Sequence, residues 1–212
     1  MIKALFAGTA LCGALASSAS AVTAFNFDGL TAGYYAGSLT VVDAGVTLKV
    51  TNEGYPAGSV LITNSGIPLL GSRSAIGSQT NPINSNQFAP LRFSFSTAIN
   101  SITFAFGDGG GDSDSPVVIA AYDAASTFLG SVTDSYPSGY GAGKSLTLNF
   151  ANARYFVASS GVLGQNKDSI FWEVTSLTAG GVPEPMTWAL MLTGFGAVGA
   201  AMRRRQGAMR FA

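Results

Sequence analysis

The middle of the chain alternates short runs of β-branched and aromatic residues with clusters of Gly, Asn, Asp, Pro and Ser. Within several runs the apolar residues recur at every second position, as in Phe93 and Phe95 and again in Phe104 and Phe106. A period of two is that of a strand with one buried face, and no window shows the period of a helix. The pattern therefore predicts an all-β domain, either an antiparallel sandwich or a barrel. The candidate strands are 23–27, 38–42, 46–51, 59–63, 91–95, 101–106, 117–122, 128–133, 145–150, 155–159 and 170–177.

Composition excludes several classes of function. The chain of 212 residues has no His and one Cys, and eleven basic residues balance eleven acidic ones. Without His there is no Ser-His-Asp or Cys-His nucleophile system and no His-bearing metal site. A formal charge of zero gives no electrostatic attraction for a phosphate backbone. We therefore expect neither a hydrolase of those classes nor a nucleic-acid partner.

The first 21 residues have the three parts of a secretory signal peptide. Lys3 provides a positive charge, residues 4–15 are apolar, and Ala19 and Ala21 form the small-x-small cleavage pattern. The apolar stretch is too short to span a bilayer. We predict export through the Sec translocon and cleavage by signal peptidase after Ala21. The alternative is a buried N-terminal helix.

The domain that export would leave, residues 22–181, differs from the precursor. The only Cys, Cys12, lies in the signal segment, so this domain forms no disulfide and depends on core burial for stability. It has six basic and ten acidic residues, a net charge of −4. The predicted exported domain is therefore mildly acidic, although the whole chain is neutral.

Residues 182–212 have the organisation of a second targeting segment. A short motif and a terminal cluster enclose an uncharged apolar run, 186–202; the motif is Val182, Pro183, Glu184 and Pro185, and the cluster is Arg203, Arg204 and Arg205. As a helix the run is about 25 Å long, the short limit for a transmembrane helix. Arginines favour the cytoplasmic side of a membrane. The body then lies outside, where the signal peptide also directs it.

This order of motif, apolar helix and Arg cluster resembles the PEP-CTERM sorting signal of Gram-negative bacteria. The resemblance implies recognition by an exosortase, a membrane cysteine protease-transpeptidase that cuts the tail near the motif. It also implies a transient inner-membrane anchor with the body in the periplasm, followed by release to the cell surface or the exopolysaccharide matrix. A permanent membrane anchor is the alternative.

The segment 64–90 is rich in Gly, Pro and Asn and predicts a long loop. Its polar side chains are candidates for a sugar site; they are Ser78, Gln79, Asn81, Asn84, Asn86 and Gln87. The alternative is a surface loop without a ligand.

Three carboxylates lie close together on a Gly-rich stretch, at Asp108, Asp112 and Asp114. Calcium prefers carboxylate and carbonyl oxygens on a flexible backbone, so this loop is a candidate calcium site. The spacing is not that of an EF-hand. A solvated hairpin loop explains the same composition, and no other cofactor is expected.

Tyrosines beside Gly, Pro or Ser are candidates for exposed loop aromatics that stack on a sugar ring. Tyr136 and Tyr140 flank Pro-Ser-Gly and are the preferred pair; the others are Tyr34, Tyr35 and Tyr55. In the alternative interpretation these rings cover the edges of the sheets.

Glu53 and Glu173 are the only glutamates of the body, and paired carboxylates can hydrolyse glycosides. The sequence assigns no catalytic residue. Only 10% of the residues are charged, which favours a protein that is not an enzyme.

The order of the segments 93–108, 118–131 and 170–174 is similar to that of jelly-roll domains of the carbohydrate-binding and galactose-binding-like type. The resemblance implies a jelly-roll-like β-sandwich. Taken together, the sequence predicts an exported surface or matrix protein with a structural or adhesive role within exopolysaccharide. The alternatives are a dedicated carbohydrate-binding module and, with less support, a glycan-active enzyme.

Overall fold

The computed structural model describes residues 22–80, 87–108, 116–135, 141–161, 163–164, 170–179 and 192–196. The chain divides into two compact units, one of residues 20–180 and one that groups residues 1–19 with 181–212. In the second unit, residues 192–196 are helical. None of the helices in the described ranges has the length and apolar character needed to cross a membrane. The transmembrane helix over 186–202 extends beyond the described residues and stays a prediction.

The larger unit is built from strands. In order they are β1 (Val22–Phe25), β2 (Gly33–Ala36), β3 (Ser38–Asp43), β4 (Val46–Asn52), β5 (Ser59–Thr63), β6 (Ser74–Ser78), β7 (Leu91–Asp108), β8 (Val117–Tyr122), β9 (Phe128–Asp134), β10 (Gly143–Ser160) and β11 (Ile170–Ala179). A short 3-10 helix, Pro68–Leu70, lies between β5 and β6.

The described strands pair antiparallel throughout, so the all-β antiparallel prediction is confirmed. The order across the sheet is β2-β5-β6-β11-β7-β10-β8-β9, with β1 beside β11 and the β3-β4 hairpin beside β7.

Two long strands, β7 and β10, connect the two halves of this sheet: the first half contains β3, β4, β8 and β9, and the second half contains β1, β2, β5, β6 and β11. The first part of β7 pairs with β4 and its second part with β11. Likewise the second part of β10 pairs with β8. The change of partners coincides with register shifts in β10, where Asn152 has a φ of 63° and its N–H donates to Asn100 Oδ1 at 3.2 Å. Asn tolerates positive φ, and bulges of this kind bend strands.

One core lies between the two halves, which makes the unit a β-sandwich. Its aromatic residues come from both halves: Phe104 contacts Phe93 edge-on at 5.1 Å and Trp172 at 6.3 Å between ring centroids. The alternating positions predicted for the strands around Phe93 and Phe104 are buried. Because β7 changes its pairing partners along its length, a single strand supplies both of these rings.

The sequence interpretation divided β7 and β10 wrongly. Each was predicted as two strands, 91–95 with 101–106 and 145–150 with 155–159, and each is one continuous strand of 18 residues. The polar residues between the apolar runs indicated turns, but they occupy the bends of long strands. A local pattern does not distinguish a bend from a turn.

Two strands were missed. β6 lies inside the segment 64–90, for which the sequence predicts a loop, and β2 contains Tyr34 and Tyr35, for which it predicts loop positions. β6 consists mainly of small residues and β2 lies at an edge of the sheet. Strands of both kinds have a weak signal in the sequence.

Part of the predicted loop covers the outer face of the second sheet half. We call residues 64–73 the cap. Ile67 and Leu70 of the cap form a small apolar cluster with Ala105 and Phe171. The cap can approach closely because Gly107 lies beneath it, where an added Cβ would lie 2.7 Å from Ile67 Cδ1. The outer face here is therefore a second, smaller packed layer.

Candidate functional site

A row of side chains crosses five strands on the outer face of the first sheet half. Register places Lys49 of β4 opposite Ser94 of β7, Ser94 opposite Tyr155 of β10, Tyr155 opposite Tyr122 of β8, and Tyr122 opposite Phe128 of β9. Directly opposed residues share a face of the sheet. We call these five residues the ladder; with strands about 4.8 Å apart, it is about 19 Å long.

The aromatic part of the ladder has a defined ring geometry. Tyr155 and Tyr122 are stacked, with centroids 4.8 Å apart and planes only 8° from parallel. Phe128 meets Tyr122 edge-on at 5.6 Å. The two tyrosine rings face each other and Tyr155 is only 9% exposed, so contact with a ligand falls mainly to the ring edge and hydroxyl of Tyr122. Phe128 is 53% exposed and is the one ring of the ladder with substantial apolar surface in solvent.

Arg92 covers the remaining face of Tyr155. Its guanidinium carbon lies 4.0 Å from the ring centroid, a cation–π contact that contributes about 0.5–1 kcal/mol at an exposed site. The same guanidinium donates to both carboxylate oxygens of Glu53, from Nε at 2.6 Å and from Nη2 at 3.2 Å. Arg92 is thus held from two directions beside the ladder.

Burial raises the pKa of the Tyr122 hydroxyl, and Tyr155 and Glu53 raise it further, against a lowering effect of Arg92. The hydroxyl is therefore protonated at neutral pH and can donate a hydrogen bond. Among the described residues, neither Tyr122 nor Tyr155 has a hydrogen bond from its hydroxyl. The ladder, with Arg92 and Glu53 beside it, thus presents hydroxyl groups, a guanidinium, a carboxylate and one apolar ring, which suits a ligand that is polar at its edges and apolar on its faces.

The outer face of the second sheet half contains a different arrangement, centred on Glu173. This side chain lies on β11 opposite Ala105 and is 6% exposed. Burial raises the pKa of Glu173 to about 7, and the negative charge of Asp28 contributes. Glu173 therefore titrates near neutral pH.

Asp28 ties the end of the cap to the body. Its Oδ1 accepts hydrogen bonds from Ser72 N at 2.7 Å, Ser72 Oγ at 2.9 Å and Arg73 N at 2.9 Å. These bonds, led by the Ser72 hydroxyl, lower the pKa of Asp28. The carboxylates Asp28 and Glu173 thus have pKa values displaced in opposite directions.

Two polar atoms near this region are buried without a hydrogen-bond partner among the described residues, Ser74 Oγ and Arg73 Nε. The pairing of Trp172 with Ala75 places Ser74 one register step away, opposite Glu173. Buried polar groups are ordinarily paired, so this is an incompletely satisfied polar region.

Most of the predicted site residues lie outside the described ranges. They are Ala19, Ala21, Asn81, Asn84, Asn86, Asp112, Asp114, Tyr136, Tyr140, Val182, Pro183, Glu184, Pro185, Arg203, Arg204 and Arg205. Asp108 is described and is buried at the end of β7. Within the described ranges no three His, Cys, Asp or Glu side chains are grouped to hold a metal ion.

The structure gives the two glutamates of the body different surroundings. Glu53 pairs with Arg92 beside the ladder, whereas the carboxylate that acts on Glu173 is Asp28.

Sequence reasoning missed the ladder. Tyr155, Tyr122 and Lys49 each stand next to apolar residues in predicted strands, where period-two alternation assigns them only to an outer face. Their alignment depends on the registers of β4, β7, β10, β8 and β9. The signal in the sequence is the recurrence of aromatic residues at outer-face positions of several predicted strands.

No protein-family model matches the sequence, and no curated protein matches it. Three solved structures illustrate what the fold is similar to. The xylan-binding domain of a family 22 carbohydrate-binding module is 13% identical, with a TM-score of 0.41 over 78% of this chain and 99% of that domain. The cleaved adhesin domain K2 of Lys-gingipain is 12% identical, with a TM-score of 0.43 over 74% of this chain and 99% of that domain.

An arabinose-bound α-L-arabinofuranosidase is 13% identical, with a TM-score of 0.42 over 72% of this chain. The match covers 25% of that enzyme, so this chain spans about a quarter of its length. These similarities are weak and include both binding domains and an enzyme. The function therefore has to rest on the residues of this chain.

Proposed function

We propose that the β unit is a carbohydrate-binding module of jelly-roll-like architecture, with the ladder as its binding surface. The observation that carries this proposal is the alignment of Tyr155, Tyr122 and Phe128 across three adjacent strands, with Arg92 and Glu53 beside them. A row perpendicular to the strands offers an extended surface, which fits a chain-like ligand.

Sugars suit this surface because they combine hydroxyl groups at the ring edge with apolar ring faces. The Tyr hydroxyls and the Arg92–Glu53 pair supply donors and acceptors, and Phe128 supplies an exposed ring for stacking. The rings of Tyr155 and Tyr122 face each other, so their contribution is hydrogen bonding at the edge. The ion pair and the stacking hold these groups in place before a ligand arrives, which reduces the ordering cost of binding.

The test of this function is glycan binding by the purified protein, measured by titration calorimetry against a polysaccharide panel. Tyr122→Phe removes one hydroxyl and keeps the stacked ring, and we expect it to weaken binding about tenfold, the loss of one well-placed hydrogen bond. Tyr34→Phe is the matched control, since Tyr34 is exposed on β2 in the other sheet half. Equal losses in both variants, or no saturable binding to any glycan, would overturn the proposal.

We further propose that the module acts outside the cell, as the two ends of the sequence predict. The tail 182–212 is then processed by an exosortase, and the body reaches the surface or the exopolysaccharide matrix, where glycan binding gives it a structural or adhesive role. Fractionation and intact-mass measurement test this proposal. Wild type is expected outside, shortened at both ends, whereas a variant with Pro183, Glu184 and Pro185 changed to Ala stays in the membrane with a full tail. Retention of both proteins in the membrane would indicate a permanent anchor.

Asp28 and Glu173 favour a second candidate, a glycan-active enzyme, because pairs of carboxyl groups with separated pKa values serve as acid and base. The burial of Glu173 beside the cap weighs against it. Release of reducing ends from a polysaccharide panel, lost in Glu173→Gln, would establish this activity; the absence of turnover excludes it for that panel.

The calcium site at Asp108, Asp112 and Asp114 also remains a proposal. If it forms, millimolar calcium raises Tm, and the rise is lost when Asp112 and Asp114 are changed to Ala. No rise with calcium would end this proposal.

A further inference from the structure

One end of the ladder is cationic. Lys49 is exposed on β4, and register places it in line with Ser94 and the aromatic residues of the ladder. Its amine has no ion pair or hydrogen bond within the described parts of the chain. On its other side Lys49 lies opposite Thr40 of the edge strand β3, an uncharged neighbour.

Three other charged side chains close to the ladder already have partners within the protein. Arg92 and Glu53 neutralise each other in a two-point ion pair. Asp123, which follows Tyr122, accepts hydrogen bonds from Ala125 N and Thr127 N in its own turn, both at 2.8 Å. The net charge of this end of the ladder therefore comes from Lys49.

This local charge is opposite to that of the body, which carries −4 over residues 22–181. The net charge of the body repels anions at long range, so an anionic group is attracted only close to Lys49, within about a Debye length. An anionic ligand has to be held by contact at this place. A ligand of this kind has a carboxylate that contacts Lys49 and a further part that contacts the aromatic rings of the ladder.

We propose that the ladder binds a glycan whose sugar units carry carboxylate groups, with one carboxylate at Lys49 and the chain running across the strands toward Phe128. The proposal rests on the carbohydrate-binding function and names its ligand class. Lys49 lies about 10 Å from Tyr155 and about 19 Å from Phe128, at two and four strand spacings. A chain of several units is therefore needed to contact both ends, and a single sugar acid contacts only one.

The experiment compares one polymer in two forms, polygalacturonate and the same polymer with its carboxyl groups reduced to alcohols. Calorimetry with the purified protein is expected to show about two- to fivefold tighter binding of the acidic form, the magnitude of one ion pair at an exposed site. Lys49→Gln removes the difference but still binds the reduced polymer, and Lys49→Arg keeps the difference. A higher salt concentration is expected to reduce the difference in affinity between the two polymers for the wild-type protein.

Lys144→Gln is the control variant. Lys144 is ion-paired with Asp134 away from the ladder, so its loss is expected to leave the preference unchanged. Equal affinity for the two polymers, or a preference that survives in Lys49→Gln, overturns the inference and leaves the carbohydrate-binding function intact. If neither polymer binds, the inference is overturned as well, and the glycan panel with Tyr122→Phe decides separately whether the proposed function fails.

Discussion

Charged side chains have opposite surroundings on the two outer faces of the sandwich. On the ladder face, Glu53 and Arg92 are partly exposed, paired with each other and packed against an aromatic ring. On the capped face, Glu173 is buried, and its neighbouring charge is the like charge of Asp28. On the ladder face Arg92 and Glu53 thus neutralise each other at an exposed surface, whereas the ionised form of Glu173 on the capped face is unfavourable because it is buried beside a like charge.

This difference has a physical lesson. An exposed ion pair contributes little to stability because water competes for both partners, so such a pair is free to serve recognition. A buried carboxylate without a cation opposes folding at any pH at which it is ionised. We therefore expect the stability of the protein to depend mainly on the capped face, and its binding mainly on the ladder.

The largest effect is expected from opening the cap. Leu70 is fully buried and Leu69 is exposed, so the adjacent pair provides a matched comparison. Leu70→Ala should lower the free energy of unfolding by about 2–4 kcal/mol through lost packing and a residual cavity. Leu69→Ala should change it by less than about 0.5 kcal/mol. Urea unfolding of the two variants measures both values, and similar losses would show that the cap is not a packed layer.

Glu173→Gln should stabilise the protein, but only above acidic pH. The pKa of Glu173 is about 7 in the folded state against 4.5 as its ordinary value. Protonated Glu173 does not oppose folding, so the full stability of the protein is present below about pH 4.5. That stability is lost as the pH rises through about 7, because Glu173 then ionises while it is buried.

At pH 8 the Gln variant should gain on the order of 2–3 kcal/mol in unfolding free energy, and at pH 4 it should match wild type. Chemical unfolding at both pH values tests this, with Glu53→Gln as the exposed control that gains nothing at pH 8. A pH-independent change in Glu173→Gln would contradict the buried-charge interpretation.

Asp28→Ala should destabilise the protein by about 1–2 kcal/mol at neutral pH, because three hydrogen bonds to the end of the cap are lost from a solvent-exposed carboxylate. Its folded pKa lies below the ordinary value, so this contribution is present above about pH 3.8 and is lost as the pH falls. Thermal unfolding of wild type and variant should converge in acid. A difference that persists undiminished at pH 2 would refute the role of the charge.

The smallest effect is expected at the ladder. A double-mutant cycle with Arg92→Gln and Glu53→Gln should give a coupling energy of about 0.5 kcal/mol, as for other exposed pairs. The same variants should weaken glycan binding more than they weaken folding. A coupling above about 2 kcal/mol would place the pair among structural contacts and remove the contrast between the faces.

The sequence predicted the class of fold well but its connections poorly. Alternation around Phe93 and Phe104 identified buried strand faces correctly, because inside and outside positions follow from neighbouring residues. It did not reveal that both rings belong to one bent strand, or that β6 crosses a segment rich in Gly and Pro. Bends, edge strands and small-residue strands depend on partners distant in the chain.

By itself the sequence determined the antiparallel β class, the alternation of core positions and the prediction of targeting segments at both ends, since each is written in contiguous residues. Only the tertiary structure brought the residues of the candidate site together. Lys49, Tyr122 and Tyr155 are far apart in the chain and meet because β4, β7, β10 and β8 pair in one register. The elevated pKa of Glu173 likewise arises from burial and from Asp28. Such properties depend on distances across the fold, which a linear pattern does not contain.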